Sequence, residues 1–349
     1  MNNSAISERL MSLYGGCGYT RYRVNKFEEY ELYSRNREFL PSKQILTFTD
    51  TDGRLMALKP DVTLSIVRNS RDGEDARLFY SESVFRTDRG RGVFAEVPQI
   101  GLEYIGRADP YRVSEVLTLA GMSLDLISEE NVLDVSHPGI LSLTAARLGL
   151  DFAGRSALTG CFGSKSAGGA LSLCGDRESE ELVKALLGMS SDPDKALPLL
   201  GSLSDGAEWD AVVYELRRAV TAVPDRDLRI DLSVVNDADY YNGVVFRGYV
   251  KGSPSAVLSG GQYDNLMKKN GKNNSAAGFA VYLDRIDAAD EGDAPALDLL
   301  ILYDDMTDPT AVCRRLREAA SAGLRVSAER ELPDGQEYSA ICDMRKKHG

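Results

Sequence analysis

The residues best placed for chemistry lie on a predicted β-hairpin between Phe79 and Gly106. Two runs of alternating apolar residues flank a charged turn that contains glycine, which is the pattern of two strands and their connection. The charged residues of the tip are Arg86, Asp88, Arg89 and Arg91, and the arginines could clamp a phosphate group. On the return strand, Gln99 and Glu103 stand four positions apart and therefore share one face. Taken alone, that pair is also typical of a solvent-exposed strand.

The composition is that of an ordinary globular protein and disfavours several classes of function. Of the 349 residues, 43% are apolar and 27% are charged, and a chain of this length predicts two or three domains. The formal net charge of −12 argues against a nucleic-acid partner, because binding to phosphates requires a basic face. The sequence contains no transmembrane run and no signal-peptide pattern, so we expect a cytoplasmic protein without a membrane partner.

Neither a metal centre nor a bound cofactor is expected. The five cysteines are scattered without CxxC spacing, and the two histidines of the sequence are His137 and His348. These residues cannot form a zinc site at any usual spacing. Reduced thiols suit a cytoplasmic protein.

The elements that must position the hairpin fall into four segments. Residues 1–138 mix helix and strand patterns, whereas residues 139–225 have helical spacing with few strand signals and predict a helical insert. Strand patterns return over residues 226–292. Residues 293–349 have the pattern of a small β-α-β-α unit, which is shorter than a typical independent domain.

Six segments, in this order along the chain, resemble motifs of the histidyl-tRNA synthetase catalytic domain. They are ALKPDVT, VFRTDRG, PQIGLEYIG, DADYYNGVVF, SGGQYD and GFAVYLDRI. D-Y-Y-N together with Q-x-G-x-E is specific to the members of this family that handle histidine. The resemblance implies an α+β fold of the class II aminoacyl-tRNA synthetase type, with an antiparallel sheet flanked by helices and a homodimer core. It also implies that residues 293–349 are part of an anticodon-domain-like unit.

The resemblance assigns histidine binding to Asp61, Thr63, Gln99, Glu103, Tyr240 and Tyr241. The first three would hold the α-amino group, since an ammonium needs a carboxylate and neutral acceptors. Glu103 and Tyr241 would bracket the imidazole, whose two ring nitrogens a carboxylate and a phenol can bind. Gly101 would leave room for the ligand on that face. Taken alone, Asp61 is also typical of a helix cap.

The residues that would activate the amino acid depart from the family pattern. Asn236 stands where the family has its catalytic arginine, and an amide cannot replace a guanidinium charge. Ala95 and Val97 replace an arginine and a phenylalanine that hold ATP, and Asn25 replaces the proline of the motif at the expected dimer interface. The resemblance leaves a residual set for ATP or phosphate, namely Arg86, Asp88 and Arg285.

An intact amino-acid pocket with an altered activation apparatus resembles the regulatory subunits of ATP phosphoribosyltransferase, a family of synthetase paralogues. This implies a chain that is no enzyme by itself and that binds histidine. It also implies a partner, the short-form catalytic subunit, which the chain would activate and place under feedback control in histidine biosynthesis. Two alternatives remain open: a divergent or truncated histidyl-tRNA synthetase, and another paralogue that senses an amino acid or loads a carrier other than tRNA.

Overall fold

The computed structural model describes residues 3–37, 40, 45–87, 92–107, 110–223, 228–234, 240–286, 297–332 and 338–345. Within them the chain forms two compact units. The larger unit spans Ile6–Ile286, and the smaller unit is formed mainly by the residues that follow.

Most of the described chain is in regular secondary structure. The strands are β1 (Thr20–Arg21), β2 (Phe27–Glu29), β3 (Thr47–Thr49), β4 (Leu55–Leu58), β5 (Ala76–Thr87), β6 (Phe94–Gly106), β7 (Asn131–Ser136), β8 (Leu228–Ile230), β9 (Val245–Val250), β10 (Leu258–Gln262), β11 (Ser275–Tyr282), β12 (Leu299–Leu302), β13 (Val326–Glu329) and β14 (Ile341–Asp343). The helices are α1 (Asn3–Gly16), α2 (Tyr30–Ser34), α3 (Thr63–Asn69), α4 (Pro110–Ile127), α5 (Pro138–Arg147), α6 (Phe152–Gly163), α7 (Ala167–Leu171), α8 (Arg177–Leu187), α9 (Pro193–Ser202), α10 (Ala207–Thr221), α11 (Asp264–Lys269) and α12 (Pro309–Ser321). Within the residues described, none of these helices has the length and hydropathy that crossing a bilayer requires.

Eight strands of the larger unit form one sheet in the order β1-β5-β6-β11-β10-β9-β7-β8. Neighbouring strands from β5 to β7 pair antiparallel. The two edge pairs, β1 with β5 and β7 with β8, are parallel. The predicted α+β fold around an antiparallel sheet is therefore confirmed, with parallel pairing added at both edges.

β5 and β6 form the hairpin that the sequence predicts, with all twelve residues of β5 paired to β6. Alternation along the strands separates two environments. On one face, Phe79, Ile100 and Leu102 join α1 and α4 in the main hydrophobic core. The opposite face carries Gln99 and Glu103, so the sheet separates the core from these polar residues.

The chain from Pro138 to Thr221 forms the helices α5 to α10. Three of them begin at aspartates whose side chains accept a backbone N–H of the first turn, which stabilises a helix start; these are Asp151, Asp176 and Asp192. The apolar faces of the helices join the same core as the large sheet. The domain boundaries given above for this segment and its neighbours remain predictions.

A second sheet of the larger unit has the order β2-β4-β3 and is antiparallel. Its central strand, β4, ends at Leu58 and is followed directly by the turn that carries Asp61 and by α3, which begins at Thr63. This sheet therefore positions one wall of the candidate site.

The smaller unit contains a parallel sheet in the order β13-β12-β14, with α12 between β12 and β13. The sequence pattern predicts a helix after β13, but Ile341–Asp343 forms strand β14 instead. The reason is that three residues can satisfy their backbone groups along the free edge of β12. A helix of that length would not offset the entropy of its own nucleation.

Candidate functional site

The candidate site lies on the face of the large sheet that is turned away from α1 and α4. The pairing of β6 with β11 places Gln99 opposite Tyr282 and Glu103 opposite Gly278. A Cβ atom at Gly278 would overlap the Glu103 carboxylate, so this glycine provides the space that the carboxylate occupies. The strand period of two thus brings an amide and a carboxylate onto one face, over a floor of small residues.

Glu103 is 2% exposed, and both of its carboxylate oxygens accept hydrogen bonds from hydroxyl groups. Thr63 Oγ1 donates to Oε1 at 2.7 Å, and the Tyr263 hydroxyl donates to Oε2 at 2.6 Å. Among the described residues, no lysine or arginine forms an ion pair with it. Burial raises the pKa of Glu103 to about 8, the two hydroxyls oppose this rise, and the Asp61 charge adds to it.

Asp61 lies in the turn between β4 and α3. Its Oδ1 accepts the backbone N–H of Leu64 at 2.9 Å, in the first turn of α3, as a capping side chain does. Its Oδ2 faces Arg86 Nη2 at 3.5 Å, and Arg86 Nε donates to the Pro60 carbonyl at 2.8 Å, which ties the turn to β5. Burial raises the pKa of Asp61, and the Arg86 charge opposes that rise.

A buried ion pair adjoins this turn. The Lys59 side chain is fully buried, and its Nζ lies 2.9 Å from Glu82 Oε2. The other oxygen of Glu82 accepts the backbone N–H of Val24 at 3.3 Å. Glu82 is opposite Gln99 in the hairpin and shares its face. Glu82 interrupts the apolar alternation of β5 and so signals a polar face, but the sequence does not identify Lys59 as its partner.

Three tyrosines cluster beside the two acidic groups. The ring centroids of Tyr240 and Tyr241 are 4.5 Å apart, and those of Tyr240 and Tyr263 are 5.7 Å apart. Tyr241 lies over Gly261 of β10, where a Cβ atom would overlap its ring. Burial raises the pKa of all three phenols well above the usual value, and neighbouring acidic groups add to the rise.

The space above Gly101 is occupied rather than open. Its partner on β5 is Tyr80, and a Cβ atom at Gly101 would overlap the end of the Tyr80 ring. The expectation that Gly101 leaves room for a ligand is therefore wrong, because the large side chain opposite it fills the gap. Sequence reasoning missed both Tyr80 and Tyr263. Tyr80 alternates with Glu82 along β5, and Tyr263 follows the two glycines of SGGQYD, so both carried a signal.

Gln99 has the least satisfied side chain of the site. It is 3% exposed, and its Nε2 has no hydrogen-bond partner within the described part of the chain. An amide donor buried without a partner is unfavourable by about 1–3 kcal/mol. A ligand that offers an acceptor to Gln99 would remove this penalty.

The predicted phosphate-binding residues lie only partly within the described chain. Arg285, expected in this set with Arg86 and Asp88, lies 4.1 Å from the ring centroid of Tyr282 and donates to the Ala256 carbonyl at 2.9 Å. Ala95 is paired opposite Arg86 in the hairpin. Four predicted positions lie outside the described residues: Asp88, Arg89, Arg91 and Asn236.

The assembled groups suit a small cationic ligand better than a metal ion. Two buried carboxylates, a hydroxyl, an unpartnered amide and several phenols can together hold an ammonium and a nitrogen heterocycle. In the described ranges, no group of three or more histidine, cysteine, aspartate or glutamate side chains could hold a metal ion.

Comparison with known sequences gives relatives of two kinds. The family model of histidyl-tRNA synthetase matches residues 1–286. A protein of Clostridium kluyveri named ATP phosphoribosyltransferase regulatory subunit is 28% identical over 302 residues, which cover 80% of this chain and 76% of the relative. A histidine–tRNA ligase of Methanocaldococcus jannaschii is also 28% identical, over 291 residues that cover 80% of this chain and 70% of the relative.

Solved structures show the same fold. A Bacillus halodurans protein described as an ATP phosphoribosyltransferase regulatory subunit/histidyl-tRNA synthetase superposes with a TM-score of 0.80 at 20% identity, covering 99% of this chain and 94% of that chain. Histidyl-tRNA synthetase from Nostoc superposes with a TM-score of 0.76 at 17% identity, covering 95% and 83%. The class II synthetase-like architecture therefore extends over nearly the whole chain.

Proposed function

Because the chain belongs to the histidyl-tRNA synthetase family, we propose that it keeps the amino-acid pocket of that family and binds free histidine there. Asp61, Thr63 and Gln99 hold the α-amino group. Glu103 and Tyr241 hold the imidazole, with Tyr240 beside them. The observation that carries this proposal is the buried cluster around Glu103, whose carboxylate has hydroxyl partners but no cation among the described residues.

The electrostatics of the cluster support a ligand that brings positive charge. Burying a carboxylate without a cation is unfavourable, which appears here as the raised pKa of Glu103. An imidazole can accept or share the proton of that carboxyl group. The ligand ammonium, beside Asp61, would stabilise the charge of this second buried carboxylate. Histidine supplies both groups in one molecule.

The use of the pocket is regulatory in this proposal. Relatives over most of the chain are named regulatory subunits of ATP phosphoribosyltransferase. We therefore expect the chain to be no enzyme by itself and to form a cytoplasmic homodimer. It would associate with a short-form catalytic subunit, activate it, and transmit feedback inhibition by histidine in histidine biosynthesis. Any coupling must be reciprocal, so histidine and the partner alter each other's affinity by the same factor.

A second candidate is a divergent histidyl-tRNA synthetase, which the similarity to a histidine–tRNA ligase favours. The two candidates differ in whether bound histidine is activated. Histidine-dependent ATP–pyrophosphate exchange should be absent or very slow if the chain is a regulator.

The test combines binding with partner capture. Titration calorimetry of the full chain with L-histidine should give a single site per chain, and a co-expressed short-form catalytic subunit should co-purify with it. Absence of histidine binding both to the isolated chain and to that complex would refute the pocket. Exchange at a rate ordinary for a synthetase would refute the regulatory role.

A further inference from the structure

Tyr282 shares the sheet face of the site and is held at three points. It is paired opposite Gln99 across β11 and β6. Its hydroxyl is hydrogen-bonded to Ser259 Oγ at 2.7 Å, and the Arg285 guanidinium lies 4.1 Å from its ring centroid. Arg285 is itself anchored, since its Nη1 donates to the Ala256 carbonyl at 2.9 Å. A ring fixed at its tip and covered by an anchored cation has little freedom to move aside.

The strand register defines where this ring stands relative to the pocket. Along β6 and β11, the pair of Glu103 and Gly278 lies at one end of the floor and the pair of Gln99 and Tyr282 at the other. The proposed orientation of histidine puts its imidazole at the Glu103 end and its α-amino group near Gln99. In that orientation Tyr282 stands at the α-carbon end, the end from which a substituent on the ligand carboxyl group would extend.

We infer that Tyr282 determines the specificity of the pocket by closing its α-carbon end, so that the site admits a free amino acid and excludes one extended through its carboxyl group. This inference rests on the proposed histidine pocket and adds to it the reason for the choice of ligand form. An extended ligand would have to occupy the volume of the ring, and overpacking of a filled site is unfavourable.

The buried amide beside the ring provides an independent indication of an unmodified carboxylate. Gln99 Nε2 is an unpartnered donor in the described structure, and Gln99 is directly opposite Tyr282. When the amide oxygen of Gln99 accepts from the ligand ammonium, its N–H remains available for a carboxylate oxygen of the same molecule. A free carboxylate accepts this hydrogen bond more strongly than an esterified one, because the charge-assisted bond is stronger.

Closure of the α-carbon end by Tyr282 also affects whether the pocket can hold an activated amino acid. Activation of an amino acid produces a molecule extended through its carboxyl group by a nucleotide. A pocket closed by Tyr282 binds the amino acid before that step and rejects the product. Tyr282 thus separates recognition of histidine from its activation.

The test compares two probes on the full-length chain: L-histidine and 5′-O-[N-(L-histidyl)sulfamoyl]adenosine, which is histidine extended through its carboxyl group. The variants are Tyr282→Ala, which removes the ring, and Tyr282→Phe, which keeps the ring but loses the Ser259 bond. The matched control is Tyr214→Ala, which removes another tyrosine stacked by an arginine, Arg218, on the exposed surface of α10 at 5.6 Å.

The unmodified chain should bind the extended probe at least about tenfold more weakly than histidine, a difference of about 1.4 kcal/mol. Tyr282→Ala should bring the two affinities within about threefold of each other, whereas Tyr282→Phe and Tyr214→Ala should keep the discrimination. If Tyr282→Ala does not fold, Arg285→Ala, which releases the ring, should raise the affinity for the extended probe.

Three results would overturn the inference. Equal binding of both probes to the unmodified chain would do so while leaving the histidine pocket intact. If Tyr282→Ala, or Arg285→Ala where that variant carries the test, has the same ratio of affinities for the two probes as the unmodified chain, the inference is also overturned and the histidine pocket is left intact. Failure of the unmodified chain to bind histidine would remove the proposed function and, with it, the pocket that Tyr282 is inferred to close.

Discussion

The two ends of the site hold their buried carboxylates in opposite ways. At one end, Glu82 is paired with Lys59 and Asp61 faces Arg86. At the other end, Glu103 has hydroxyl partners and no ion pair among the described residues. The first end has a cation for each carboxylate, whereas the second has none and Glu103 keeps a proton instead up to about pH 8. The difference indicates that the Lys59–Glu82 pair is structural and that a cationic ligand would change the energetics most at Glu103.

The connections of the paired end support this division. Lys59 and Glu82 link the end of β4 to β5, and Glu82 also accepts the Val24 backbone N–H. Arg86 holds the same turn through the Pro60 carbonyl. Three segments distant in sequence are thus fixed to one another by a few charged groups, which places the pocket turn accurately against the sheet.

Breaking the paired end should have the largest effect. Lys59→Met leaves Glu82 charged, largely buried and without its cation, so the free energy of unfolding should fall by about 3–5 kcal/mol. Urea denaturation followed by circular dichroism measures this change. The control is Lys251→Met, which breaks an ion pair with Glu130 whose side chains are 70% and 68% exposed and should change stability by less than about 1 kcal/mol. Similar losses in both variants would contradict the distinction between the two ends.

Replacing the unpaired carboxyl group should act in the opposite direction and depend on pH. The pKa of Glu103 is raised to about 8 in the folded chain, against about 4.3 in an unfolded one. Between these values the folded state keeps a proton that the unfolded state has released, so the free energy of unfolding falls as the pH rises. Glu103→Gln should remove this contribution, which is about 3 kcal/mol between pH 5 and pH 8.

The measurement is a series of urea unfolding curves at pH 5, 6, 7 and 8 for the unmodified chain and for Glu103→Gln. The variant should become the more stable of the two as the pH increases. Glu96→Gln, on the same strand but exposed, is the matched control and should leave the pH dependence unchanged. Parallel pH profiles for the unmodified chain and Glu103→Gln would show that the pKa of Glu103 is not raised in the folded state.

Period-two alternation was enough to predict the hairpin and the shared face of Gln99 and Glu103, because both depend on neighbours within one strand. The α+β fold followed from the order of six motifs. Neither the alternation nor the order of the motifs predicts all of the hydrogen-bond partners of Glu103. Thr63 and Tyr263 are 40 and 160 residues away from it in sequence, and only the assembled register shows that their hydroxyls meet its carboxylate.

The predictions that failed depended on contacts between separate strands. Gly101 was expected to leave open space, but the residue that fills it, Tyr80, is on another strand, and a single sequence does not give the register between strands. The ion pair of Lys59 and Glu82 joins two different sheets. The sequence predicts a helix where β14 forms, because the short apolar run has no period of its own and becomes a strand only at the free edge of β12.

Removing the charge of Asp61 should weaken histidine binding with little change in stability, because burial outweighs the Arg86 charge and raises the pKa of Asp61. Asp61→Asn keeps an oxygen that can accept the Leu64 N–H, so α3 remains capped, but it loses the charge proposed to hold the ligand ammonium. Histidine affinity should fall by tens-fold, or about 2 kcal/mol, while the unfolding midpoint changes little. Calorimetry and thermal melts on the same sample separate the two effects. Histidine binding that is unaffected by Asp61→Asn and by Glu103→Gln would mean that the ligand binds elsewhere.

The smallest expected effect is the exchange of protons when histidine binds near neutral pH. With a pKa of about 8, Glu103 carries most of a proton at about pH 7.2 in the free chain, whereas free imidazole, with a pKa of about 6.5, carries little. The complex needs one proton shared between the two groups, and that proton is already present, so net uptake should be close to zero. A Glu103 with an ordinary pKa would instead require uptake of most of a proton from solution.

Calorimetric titrations at pH 7.2 in buffers of different ionisation enthalpy measure the number of protons exchanged directly, because the observed heat changes with the buffer in proportion to that number. Heats that do not depend on the buffer at pH 7.2, and that become dependent as the pH passes 8, would fit the unpaired, protonated Glu103. Uptake of nearly one proton at pH 7.2 would show that both ends of the site are charged before the ligand arrives.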